Sequence, residues 1–312
     1  MPILSALPYA IYFPNLSAAS VIFEGVGAIT TSGASAFTAS ELPKILHIWR
    51  SLVQFIGGVA TTSLAIVILA SLNLTGIGIH KSILFTKEQD NILNRILWVS
   101  KDVFFIYLFI ALLSAITLML AGLVPYEALC LGLSGISTGG LSPIDQPLDT
   151  RMAPFGAFLF GLATLFGAMS FVVLHNNLRR RDRRSFISIF YQVENRALYV
   201  MIIILSVLGI YYIGFESVIS LLIEALFFVS TAGFNYTLIG LEMIPPIILV
   251  TLTLIGGAAL STAGGVKIIR ILLLFRQLQT DLYRLTHPSR VYPVKFQGQY
   301  ICLLYTSDAA DD

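Results

Sequence analysis

The sequence predicts an all-α polytopic membrane protein, in which repeated helix–pore helix–helix units surround a central pore and the third unit contains a broken helix. Three observations predict it. The composition is the first: 312 residues, 56% hydrophobic and only 12% charged, with a mean hydropathy of +0.85. A soluble domain carries about 25% charge, so a soluble enzyme is excluded, and such hydrophobicity excludes a disordered chain. The second observation is that long uncharged runs alternate with runs half as long. The third is that each half-length run closes with the same short motif.

The long runs cover residues 51–79, 103–126, 152–174, 197–215 and 243–266. Each approaches the roughly 20 apolar residues a membrane-crossing helix needs. The half-length runs cover 16–29, 128–136 and 217–229. Segments of that length enter a membrane only where protein or water surrounds them. The opening residues, MPILSALPYAIYF, lack a basic leader and read as the outer end of a helix whose beginning is missing. Residues 302–312, CLLYTSDAADD, resemble translated adapter sequence, so 301–312 is expected to be a non-native tail. Setting aside Asp308, Asp311 and Asp312 leaves 19 basic against 14 acidic residues, a net charge of +5. Cys130 and Cys302 lie too far apart in sequence to suggest a disulfide framework or a zinc site.

Basic residues set the orientation. Lys81, Lys87, Arg95 and Lys101 form one loop, Arg179–Arg181, Arg183, Arg184 and Arg196 a second, and Arg270, Arg276, Arg284, Arg290 and Lys295 follow the last span. The opposite side holds Lys44, Arg50 and Arg151. By the positive-inside rule the basic loops are cytoplasmic and the half-length segments open outward. The arginine cluster is read as this topological signal, not as a nucleic-acid or lipid site.

The closing motifs are Thr30-Thr31-Ser32-Gly33, Ser137-Thr138-Gly139-Gly140 and Ser230-Thr231-Ala232-Gly233. Small residues in membrane helices often serve close packing. Three copies at the ends of three half helices argue instead for a shared device. A half helix aims its carbonyl end, the negative end of its dipole, at the membrane centre. An extended turn after it offers backbone oxygens that replace a cation's hydration shell. Glycine reaches the required angles without the roughly 1–2 kcal/mol an L-residue would spend.

A fourth copy, Ser261-Thr262-Ala263-Gly264-Gly265, follows Gly256 and Gly257 inside the last apolar run. Four glycines there predict an unwound segment lining a cavity, able to plug a pore. Lys267 beside it requires a carboxylate or carbonyl partner. The run is not a nucleotide loop, because Val266 precedes Lys267 and Ile268 follows it, where Gly-Lys-Ser/Thr is needed.

Together these residues resemble the Trk/Ktr/HKT superfamily of cation transporters, and its bacterial TrkH branch in particular. The resemblance covers residues 5–299. It rests on FEGVGAITTSGA (23–34), WRSLVQFIGG (49–58), ISTGGLS (136–142), ALFFVSTAGFN (225–235), IGGAALSTAGGVKIIR (255–270) and HPSRVYPVK (287–295). It implies four pseudo-symmetric units around one pore and a potassium filter with one glycine per unit. That assigns Thr30–Gly33, Ser137–Gly140 and Ser230–Gly233 to the filter. A gating loop follows in Gly256, Gly257, Ser261, Thr262, Ala263, Gly264, Gly265 and Lys267. It further implies a homodimer in a bacterial inner membrane, docked on a cytosolic nucleotide-binding ring of the TrkA/KtrA type. No cofactor is expected; potassium is the transported species. The units are expected at 1–79, 97–178 and 196–279, with a cytoplasmic linker at 280–300. The first helix of the first unit and the whole fourth unit are absent from the pattern, so the sequence reads as a gene fragment. Ser170 stands where the family pattern suggests asparagine.

The acids have modest roles in this reading. Glu24, Glu127 and Glu224 are taken as structural. Asp145 and Asp149 either attract cations at the mouth or are ordinary loop residues, and His175 is interfacial. A secondary transporter with a midplane broken-helix site would show inverted repeats, whereas these run in one direction. A membrane enzyme would cluster its histidines, and the four here are scattered.

Overall fold

A computed structural model describes residues 2–71, 92–171, 191–214, 218–237, 244–286, 294–296 and 299–301. The described chain is helical, apart from one small antiparallel hairpin. Helices α1 (Pro2–Tyr12), α2 (Ala18–Ile29) and α3 (Lys44–Ser71) form a first unit. Helices α4 (Ile92–Leu120), α5 (Pro125–Ile136) and α6 (Pro154–Ala168) form a second. The third has α7 (Val193–Ile213), α8 (Val218–Val229), α9 (Pro246–Ile255) and α10 (Ile268–Thr286). Strands β1 (Val294–Phe296) and β2 (Gln299–Ile301) pair with Val294 opposite Ile301. The basic residues at 81, 87, 179–184 and 290, His175 and the 302–312 tail lie outside the described residues.

Each unit contains a 12-residue half helix, α2, α5 or α8. At 1.5 Å per residue it spans about 18 Å, too short to cross a bilayer. The half helices start where the chain supplies a stop or cap. Ser17 caps α2 by accepting the Ser20 amide at 3.1 Å. Pro125 opens α5, because its missing N–H is an orphan at that position anyway. This starts α5 earlier than the apolar run suggests and ends the preceding span at Leu120. From Glu127 to Ile136 only Leu129 of α5 escapes full burial, as expected of a helix apolar all round.

The longer helices present apolar side chains outward. Phe105, Phe109, Leu113, Ile116 and Leu120 of α4 are exposed, as are Val200, Ile203, Val207 and Tyr211 of α7. Ser100–Leu120 and Val193–Ile213 are each 21 residues long and apolar enough to cross a membrane. The opposite faces build the core, in which Val103, Tyr107 and Ala111 of α4 pack with Leu133 and Ile136 of α5 and Leu198, Met201 and Leu205 of α7.

Two helices depart from simple spans. Helix α6 stops at Ala168, and Met169 is extended (ψ 158°). The long apolar run of the third unit breaks after α9: residues 256–267 carry no helix before α10 begins at Ile268. Helix α10 continues to Thr286, so the first part of the expected linker is helical.

Candidate functional site

The three half helices end identically. Thr31, Thr138 and Thr231 all have left-handed backbones, with φ of 54°, 50° and 53°. Two amides in each turn fold back onto the half helix. Thr31 and Ser32 donate to Ala28 and Gly27; Thr138 and Gly139 to Gly135 and Ser134; Thr231 and Ala232 to Phe228 and Phe227. This is the Schellman arrangement, with threonine where glycine is usual. A β-branched residue in that conformation carries roughly 1–2 kcal/mol of strain per turn. Sequence reasoning placed the special backbone on the glycines alone. The hydroxyl of the preceding residue braces each turn: Thr30 Oγ1 donates to Val26 O at 2.7 Å, Ser137 Oγ to Ser134 O at 3.0 Å and Ser230 Oγ to Phe227 O at 3.1 Å.

Two residues on, Gly33, Gly140 and Gly233 have φ of 72°, 76° and 74°. The turns lie side by side in chain order. A Cβ at Gly33 would stand 2.9 Å from Gly139 O, and one at Gly140 would stand 2.7 Å from Ala232 O. Two cavities meet at Gly233. One of about 280 Å³ is lined by Gly140, Gly233, Leu141, Ser142, Asn235 and the charged Arg50 and Asp145. The other, about 560 Å³, is lined by Thr31, Thr138, Thr231, Gly233, Thr262 and Gly264. Arg50 is the cationic group here, and it is engaged by Glu24 and the Ser142 carbonyl; the hydroxyls and backbone carbonyls of the turns are the kind of oxygens that can replace a cation's hydration shell.

The broken segment 256–267 packs beneath the turns. Gly264 N donates to Thr231 Oγ1 at 2.8 Å, and Thr262 Oγ1 donates to Gly167 O at 3.0 Å. Ala258 N donates to Ala168 O at 3.0 Å, and Phe171 N to Leu260 O at 3.4 Å. The interruption of α6 at Met169 therefore exposes backbone groups that dock the segment. Ser170 is buried in this strip, and nothing in the structure explains why serine stands there. Lys267 Nζ donates to the carbonyls of Ser261 and Ala263, so carbonyls, not a carboxylate, are its hydrogen-bond partners. Glu194, absent from sequence reasoning, takes the Ala259 amide at 2.5 Å from the start of α7.

The acids prove to be braces. Glu24, fully buried, accepts Ser35 Oγ at 2.8 Å and Ala36 N at 2.9 Å and faces Arg50 Nη1 at 3.6 Å. Glu224 takes the amides of Tyr236 and Thr237 at 2.6 and 2.7 Å. Glu127 sits in the first turn of α5, where the helix dipole favours an acid. Asp145 accepts Ala39 N at 2.6 Å and Ser40 N at 2.7 Å, so both its oxygens tie two loops together. Burial opposes its ionisation, but those two amides, the Ser40 hydroxyl and the Arg50 charge together hold the carboxyl below its ordinary value. Asp149 is exposed, and its own amide donates to Tyr236 O at 3.0 Å.

Two polar residues of α3 reach the second turn, and only their long-range partners reveal their roles. Gln54 Nε2 donates to Gly139 O at 2.7 Å, and Arg50 Nη2 donates to Ser142 O. His47 Nε2 lies 2.9 Å from Ala39 O, a pure acceptor, so Nε2 carries the proton. Nδ1 then accepts from Arg50 Nη2 at 3.2 Å.

Known proteins resemble this chain in sequence and in fold. Residues 4–302 match the TrkH family model, described as cation transport protein. The Trk system potassium uptake protein TrkH of Vibrio parahaemolyticus is 31% identical over 91% of this chain and 61% of its own length. Its Salmonella typhimurium namesake is 29% identical over 90% of this chain and 60% of its own. The crystal structure of the potassium transporter TrkH from Vibrio parahaemolyticus superposes with a TM-score of 0.80, at 30% identity, covering 95% of this chain and 62% of that one. The chain thus spans about three fifths of the length of these relatives. With the family model matched over almost its whole length, the chain belongs to the TrkH family of cation transport proteins, membrane-embedded transporters and not enzymes.

Proposed function

We propose that the chain forms the pore-lining part of a potassium uptake subunit. The three Thr–x–Gly turns, Thr30–Gly33, Ser137–Gly140 and Ser230–Gly233, act as filter strands. Residues 256–267 act as the gating loop. The observation that carries the reading is the threefold recurrence of one strained backbone, left-handed threonine then left-handed glycine, at the end of each half helix. Strain recurring at three separate positions is maintained by function more readily than by packing. Units at 1–79, 97–178 and 196–279 arrange these strands around one axis. The filter side faces outward and the basic loops face the cytoplasm. A homodimer docked on a cytosolic nucleotide-binding ring is the proposed assembly.

A broken helix also occurs in coupled secondary transporters, and flux separates the two. The test uses the whole transporter, with this chain replacing the matching region of the Vibrio parahaemolyticus relative, reconstituted in vesicles. A pore passes potassium down its gradient with no fixed stoichiometry to another ion and prefers it to sodium. Obligatory one-to-one coupling to protons or sodium would overturn the proposal.

A further inference from the structure

The second turn differs from the other two in having glycine on both sides of one peptide bond, Gly139–Gly140. The matching positions before Gly33 and Gly233 hold Ser32 and Ala232. A peptide between two glycines rotates at little conformational cost, so its carbonyl would have no fixed direction unless something held it. Gln54 holds it. The side chain is fully buried on α3, and Nε2 donates to Gly139 O at 2.7 Å. Four residues earlier on the same face, Arg50 donates to Ser142 O. The strand is therefore pinned on both sides of Gly140.

The third turn solves the same problem differently. Gly57 and Gly167 hold equivalent places, since a Cβ on either would meet the carbonyl of the half helix's last residue, Ile29 at 2.1 Å or Ile136 at 2.3 Å. In that register Thr164 stands where Gln54 does, and Phe160 where Arg50 does. Thr164 bonds to Gly161 O in its own helix and receives Ser230 Oγ at 3.2 Å. There residue 232 is alanine, whose Cβ restricts the backbone by itself. At position 139 a Cβ would lie 2.5 Å from the Gln54 carboxamide, so glutamine and glycine go together, as do threonine and alanine.

We infer that Gln54 is a specificity-determining positioning residue, which locks the Gly139–Gly140 peptide so that the second strand presents one fixed set of oxygens. The inference rests on the filter reading above. Its test measures potassium and sodium uptake separately in the same whole transporter, together with the amount of protein in the membrane. Gln54→Thr should lower the preference for potassium roughly tenfold, the worth of about one buried hydrogen bond. The double variant Gln54→Thr/Gly139→Ala, which copies the third turn's pair, should recover most of it. Gly140→Ser, run alongside, reports on the filter itself. If Gly140→Ser lowers the preference and Gln54→Thr does not, the lock is overturned and the filter stands. If neither changes it, the filter assignment falls and the lock with it. If Gln54→Thr lowers it and the double variant does not recover, Gln54 is a space filler and the lock is again overturned. Should Gln54→Thr fail to reach the membrane, Gln54→Met keeps the volume without the donor, and an unchanged preference there overturns the lock equally.

Discussion

The Glu194 carboxylate accepts the Ala259 amide at 2.5 Å, joining the first turn of α7 to the segment that interrupts the third unit. Glu194 is 1% exposed, so the bond is made away from bulk water, where an acceptor left unmatched is costly. On the other limb of the segment, Lys267 holds the carbonyls of Ser261 and Ala263. A carboxylate taking an amide and an ammonium taking carbonyls fix the two limbs in complementary ways.

Removing the carboxylate should loosen the segment. A buried hydrogen bond contributes about 0.5–1.5 kcal/mol, which shifts a closed-to-open ratio by about two- to tenfold. Glu194→Ala is expected to raise basal potassium uptake in the whole transporter while leaving the potassium-to-sodium ratio unchanged. Glu194→Gln keeps an acceptor oxygen and should restore most of the closure. Basal uptake in Glu194→Ala no faster than in the parent would show that this bond does not hold the gate.

Shortening the segment tests the same closure from its other side. Deleting residues 259–263 removes the Thr262 contact with Gly167 and both carbonyls that Lys267 holds. The 560 Å³ cavity beneath the turns then loses Thr262 from its lining. The expected outcome is faster basal potassium flux, read as rubidium or potassium uptake per transporter in the membrane. A variant that inserts normally and conducts no faster would remove the gating role from this segment.

What the sequence makes legible here is local, and what it hides is long-range. The turn after each half helix is closed by bonds reaching back no more than five residues, as from Ser32 to Gly27, so the motif carries its own geometry. The break at 256–267 was equally readable, because four glycines in one apolar run cannot sustain a helix. The left-handed threonines were not, since β-branched residues disfavour that conformation and only the surrounding structure holds them there. Asp145 finds its partners 105 and 106 residues away, Gln54 its partner 85 away and Glu194 its partner 65 away. No periodicity marks such pairs. A faint signal existed for Arg50 and Gln54: two polar residues one helical turn apart in an apolar helix must face protein. The docking strip at 167–171 had no such signal, because its contacts are mostly made by backbone atoms.

The glycines of the first two turns face carbonyls of the next turn, which makes their substitution a sensitive probe. An alanine at position 33 would bring its Cβ to 2.9 Å from Gly139 O, and one at 140 to 2.7 Å from Ala232 O. Each adds about 1–2 kcal/mol for the left-handed backbone, and the neighbouring carbonyl must also shift. Gly33→Ala and Gly140→Ala should therefore each lower the potassium-to-sodium uptake ratio while protein still reaches the membrane. Equal ratios in parent and both variants would separate these glycines from ion discrimination.

The link between the first two loops should respond to acid with a definite sign. Asp145 is exposed to solvent on one side, yet its two oxygens take the amides of Ala39 and Ser40. Burial works against the charged form, but those amides, with the Ser40 hydroxyl and the Arg50 charge, depress the carboxyl below its ordinary value of 3.8. A group whose pKa is lower in the folded state contributes stability that is complete above the unfolded value and lost as pH falls through the folded one. The bridge is therefore intact throughout the neutral range, and the midpoint of its opening lies below pH 3.8. Hydrogen exchange at the Ala39 and Ser40 amides reads it directly, because protonating the carboxylate removes the negative acceptor both amides share. Protection should hold through the neutral range and fall in acid, with its midpoint below that value. Asp145→Ala should leave both amides less protected at neutral pH and abolish the acid step. Asparagine keeps one carbonyl oxygen, so Asp145→Asn should spare one amide at most. Protection of both amides in Asp145→Ala equal to that of the parent would show that other contacts, not this carboxylate, join the two loops.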